Sequence, residues 1–97
     1  MTLMGPQKGP WLVTYESGRN VVVARTTWTT VISHPTGWHV VCDEADRAGV
    51  LLTPDREPVE RFEQPPEVRE PLDWYIAQAE AWVAAHADDR GLPSLEM

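Results

Sequence analysis

Alternation of apolar and polar positions dominates the first two-thirds of the chain. "WLVTYE" (11–16) puts Trp11, Val13 and Tyr15 on one face when extended. "SGRN" (17–20) carries turn chemistry, and "NVVVARTTW" (20–28) is rich in β-branched residues and reads as a strand. With Ser17-Gly18 as a two-residue loop, Glu16 faces Arg19 and Leu12 faces Val23; a Gly18-Arg19 loop is the other register. The stretch continues as "TTWTTVIS" to residue 33, which is long for one strand and predicts a bend near Arg25–Thr27.

"HPTG" then turns the chain and "WHVVCD" (38–43) returns. Pro35 suits position i+1 of a type I turn, and Gly37 supplies the left-handed residue of a G1 bulge. That register pairs His34 with Trp38, Ser33 with His39, Ile32 with Val40, Val31 with Val41 and Thr30 with Cys42. "EADRAG" (44–49) reads as a loop or a short helical turn, "VLLT" (50–53) as a short buried strand, "PDREP" (54–58) as a turn and "VERFE" (59–63) as a weaker strand.

The period changes near residue 71. Leu72, Tyr75, Ile76, Ala79, Trp82, Val83 and His86 recur at three- and four-residue spacing and form one helical stripe. Pro71 fits the first helical position, Asp73 complements the helix dipole, Gly91 supplies a stop and Pro93 follows it. Asp88 and Asp89 sit at the negative end of the dipole, so the last turn is expected to fray. The pattern predicts an α+β fold, with four to six short antiparallel strands in a meander or partly open barrel and one C-terminal helix over about 71–89. Residues 1–10, with Gly5, Pro6, Gly9 and Pro10, read as a loose arm. The domain is expected over 11–91: a sheet over 11–63, a Pro-rich connector over 64–71 and the helix. A tail follows over 92–97.

Ninety-seven residues suffice for one domain. The formal net charge of −7 is uneven, because fourteen of the fifteen acidic residues lie from residue 43 onward. Such a half repels a phosphate backbone. No run is long and apolar enough for a membrane span, and "MTLMGPQKGPW" lacks the apolar core of a signal peptide, so the cytoplasm is the expected location. One Lys against seven Arg, and two Ile against eleven Val, is the usage of a GC-rich coding sequence and fits a bacterial or phage-encoded accessory protein.

Reactive side chains crowd residues 34–43: His34, His39, Cys42 and Asp43. Their spacing matches no standard zinc signature. In the predicted hairpin His34 and Cys42 share a face but stand roughly 13 Å apart, and His39 points to the other face. No metal and no cofactor is therefore expected. A nucleophilic Cys42 needs a base within about 3 Å. Its cross-strand neighbour is Thr30, and His86 reaches it only if the helical stripe packs across that face. The acidic groups Asp43/Glu44/Asp46, Glu57/Glu60/Glu63 and Asp88/Asp89 come without the Gly-centred loop of a calcium site. Trp11, Trp28 and Trp38 with Lys8, Arg19 and Arg25 offer too few positive charges to hold a nucleic acid firmly.

Five tryptophans exceed what so small a core readily hides. Trp28 and Trp38 project from one hairpin and Trp74 lies off the helical stripe, so these three are the expected anchors of a protein interface or of self-association. The sequence thus points to a small, acidic, non-enzymatic protein-binding or assembly module. Two alternatives come from other classes: an acidic DNA mimic that inhibits a basic protein, and a small enzyme using Cys42 or His86.

Overall fold

A computed structural model describes residues 2–20, 25–43 and 46–95. Among these residues six strands are joined in sequence order into one antiparallel sheet: β1 (Thr2–Lys8), β2 (Trp11–Asn20), β3 (Arg25–Ser33), β4 (His39–Asp43), β5 (Ala48–Leu52) and β6 (Pro58–Glu63). The meander does not close, so β1 and β6 are its edges. One helix, α1 (Pro71–His86), follows, with a 3₁₀ turn at Asp88–Arg90. The fold is α+β.

The tip of the third hairpin forms as its residues dictate. Ser33 pairs with His39, Ile32 with Val40, Val31 with Val41 and Thr30 with Cys42, and Gly37 has φ +107°. The His34 N–H donates to the Trp38 carbonyl at 2.8 Å, and the Gly37 N–H donates to the His34 carbonyl at 2.9 Å.

Alternation decides which face is covered. Trp11 and Val13 of β2, Ile32 of β3, Val40 and Cys42 of β4 and Leu51 of β5 are buried on one side of the sheet. Tyr75, Ile76, Ala79, Trp82 and Val83 of α1 pack onto them. Burying one such Val, Leu or Ile stabilises the fold by roughly 1.5–3 kcal/mol. Pro71 starts the helix, where its missing N–H costs no bond. At the other end Gly91 takes φ +65° and the Leu92 N–H returns to the Ala87 carbonyl at 2.9 Å.

Two sequence expectations need correction. The loose arm is a strand: Thr2, Leu3 and Met4 pair with Glu16, Tyr15 and Thr14, and Gln7 and Lys8 pair with Leu12 and Trp11. Main-chain pairing needs no alternating pattern, and the register shift between Met4 and Gln7 accommodates Pro6 on an edge. Gly5 lies so close to β2 that a Cβ there would come within 2.9 Å of both Val13 and Tyr15 side chains.

The "SGRN" turn is the second correction. β2 runs straight through Ser17–Asn20, pairing Gly18 with Thr27 and Asn20 with Arg25, and Leu12 stands opposite Ser33 rather than Val23. Ser and Gly tolerate turns without requiring them, and the threonines opposite supply a strand to pair with. The start of the expected strand, at 21–24, lies outside the described residues, as do 44–45 of "EADRAG" and 96–97 of the tail. The end of the helix frays as expected: α1 stops at His86, within the helix expected over about 71–89. Asp88 and Asp89, unfavourable at that end, sit in the 3₁₀ turn instead.

Candidate functional site

The hairpin separates the reactive cluster. His34 is buried: its Nδ1 accepts from the Thr36 N–H at 3.2 Å and lies 2.8 Å from Thr36 Oγ1, while Trp11 stands edge-on to the ring at 4.9 Å. Burial lowers its pKa, with the Glu80 carboxylate opposing that shift. His39 is turned to the other face and bonds the Gly37 carbonyl through Nδ1. His86 packs against the Trp82 ring at 4.7 Å, on the exposed side of α1. Among the described residues no three His, Cys, Asp or Glu side chains converge to hold a metal ion.

Cys42 is buried against Gly49 and the Tyr75 ring. Desolvation pushes its thiol up to about 12. The thiolate is the reactive form, so at pH 8 Cys42 should react with Ellman's reagent on the order of a thousandfold more slowly than an ordinary thiol. Unfolding in guanidinium should restore the ordinary rate. A fast native reaction would show that the thiol is accessible and ionised.

The three anchor tryptophans part company. Trp38 is 0% exposed, its ring meets Trp82 edge-on at 6.0 Å, and its Nε1–H donates to the Pro93 carbonyl at 2.9 Å. It fills the core and presents nothing to a partner, because α1 and the segment after it close over the hairpin tip. Trp74 is half-buried at the side of α1 toward β6, edge-on to Tyr75 at 5.1 Å. Trp28 is 38% exposed on β3.

Trp28 belongs to a larger feature. It stands two positions before Thr30 and so shares the helix-covered face with it. Leu3, opposite Tyr15 on β1, lies on that same face and is 48% exposed. Because α1 begins only at Pro71, the far end of the face has no lid. A cavity of about 380 Å³ opens there, walled by Tyr15, Thr30, Cys42, Leu72 and Tyr75. Asp43, Arg47 and Gln64 add polar groups to its lining. The Tyr75 hydroxyl faces Gln64 Oε1 at 3.5 Å. Burial pushes its phenol up to about 12, the Cys42 thiol adding to the shift and Arg47 and Arg61 opposing it. Cys42 and Tyr75 are thus both held neutral at physiological pH.

The sequence pattern marks Trp28, which is exposed, but not the hollow beside it. Tyr15, Cys42, Gln64 and Tyr75 are far apart in the chain, and no local motif marks them. The signal that was present is the start of the helix at Pro71, which fixes how much of the sheet stays uncovered. Comparison with family models, with curated proteins and with solved structures gives no match to this chain.

Proposed function

We propose that the chain is a non-enzymatic protein-binding module that takes an apolar side chain of a basic protein partner into the hollow off the start of α1. The carrying observation is the exposed Trp28 on the same sheet face as an apolar-walled cavity that the chain itself leaves unfilled. Tryptophan is enriched among the few residues that dominate interface energetics. A cavity of this size lies within the roughly 300–1,000 Å³ of ordinary binding pockets. The net charge of −7 draws a basic partner and raises its encounter rate. Neutral Cys42 and Tyr75 speak for binding rather than nucleophilic chemistry. The free thiol fits a reducing compartment, so the cytoplasm is the proposed location.

The test is quantitative capture from an extract of the native host by the wild type and by Trp28→Ala, with melting curves for both. An anchor of this kind is worth about 2 kcal/mol, so binding should weaken roughly thirtyfold while the melting temperature stays put. Equal capture by both proteins would end the proposal. Light scattering of the purified chain separates self-association from binding to another protein.

A further inference from the structure

The sheet leaves its last strand open, and the groove beside it has the shape and charge of a binding site for extended peptide. Among the described residues β6 has a neighbour, β5, on one side only. An edge strand turns alternate N–H and C=O groups outward, ready to pair. The Arg61 N–H donates to the Glu60 carboxylate at 3.2 Å, which places a side-chain oxygen where an incoming carbonyl would sit. The opposite edge is poorer: β1 carries Pro6 and a register shift in its middle, whereas in β6 the proline and the register shift both fall at its start, between Pro58 and Glu60.

A groove of about 460 Å³ runs between this edge and α1. Glu60 and Phe62 line it from β6, and Trp74, Gln78, Ala81 and Ala85 line it from the helix. The two alanines keep the helix side shallow, and Phe62 and Trp74 supply apolar contact. Side chains of an added strand that point toward α1 would fall into this groove, because successive residues alternate faces.

Charge selects the occupant. Glu60 and Glu63 lie on the strand and Glu57 just before it, while the strand's own guanidinium, Arg61, already lies 3.7 Å from Glu63. With three carboxylates against one guanidinium on each copy, two copies paired edge to edge would bring together two strands of net negative charge, which is unfavourable. We infer that β6 and the groove beside α1 accept an extended, lysine- or arginine-bearing segment of another protein as a seventh strand, main-chain bonds giving affinity and Glu60, Glu63 and Trp74 giving selectivity. This surface is separate from the hollow beside Trp28 and does not depend on it.

The probe is an acetylated, amidated hexapeptide of alternating lysine and valine, titrated into the ¹⁵N-labelled full chain. Amide resonances of Val59–Glu63 and the Trp74 indole N–H should shift. Methylating alternate peptide nitrogens keeps every charge but removes half the main-chain donors, and should weaken binding at least tenfold. The double variant Glu60→Lys, Glu63→Lys should weaken it as much, as should Ala81→Trp, which fills the groove. Trp28→Ala should change nothing. The inference fails if the methylated peptide binds equally, since charge alone is then at work. It fails equally if the shifts map to the hollow, or if none appear at millimolar peptide.

Discussion

Replacing Trp38 by alanine should destabilise the fold by about 3–5 kcal/mol, the cost of emptying a fully buried aromatic site. In a chain of this size each kcal/mol moves the melting temperature by roughly 4–8 °C, so a drop of more than about 12 °C is expected. The ring is 0% exposed, it meets Trp82 edge-on, and its indole N–H holds the Pro93 carbonyl, so burial, ring stacking and a hydrogen bond all disappear at once. Removing it leaves a cavity under the C-terminal half of α1 and frees the segment that folds back after Gly91. Urea unfolding followed by circular dichroism measures the loss directly. An unchanged melting temperature with lost partner binding would return Trp38 to the interface that the sequence pattern assigned it.

Gly37→Ala should cost about 2–4 kcal/mol, from backbone strain and overpacking together. Gly37 holds φ +107°, which L side chains rarely adopt, and a Cβ there would stand 2.9 Å from the Pro54 Cβ. The strain falls on the turn that sets the β3–β4 register, so the loss should appear as global destabilisation. Gly9→Ala is the control: φ is +60° there, but nothing lies within 4 Å. Its cost should stay near 1 kcal/mol. Equal losses at the two glycines would show that the approach of Pro54 is not a tight contact.

Where local chemistry was strong, the sequence read correctly. Pro35 and Gly37 specify one hairpin tip, and the resulting register turns His39 to the opposite face from His34 and Cys42 and holds those two at different heights along one face. Of the helical stripe, Tyr75, Ile76, Ala79, Trp82 and Val83 are buried and Leu72 is half-buried, while His86 at its end is exposed. Pairing that depends on the partner strand was less legible. Residues 2–8 have no strand-like pattern of their own and are held by the main chain of β2. Ser17-Gly18 looks like a turn in isolation, and only the length of β3 opposite decides that it is strand.

The candidate surfaces follow the same division. Trp28 and Trp74 stood out as aromatics beyond the needs of the core, and both border an open feature or stand beside one. Trp38 looked equivalent, yet a ring next to a hairpin turn is exposed or buried according to what else packs there. Here α1 and Pro93 cover it.

By itself, then, the sequence determined the alternation, the change to helical period at Pro71, the hairpin tip and the acidic second half, because each depends on residues within a few positions of one another. Only the tertiary structure decided which strand neighbours which, how far α1 reaches along the sheet, and therefore which tryptophan is core and which hollow and edge stay open. Those outcomes depend on the packing of segments far apart in the chain, and no local pattern encodes where a helix will leave a sheet uncovered.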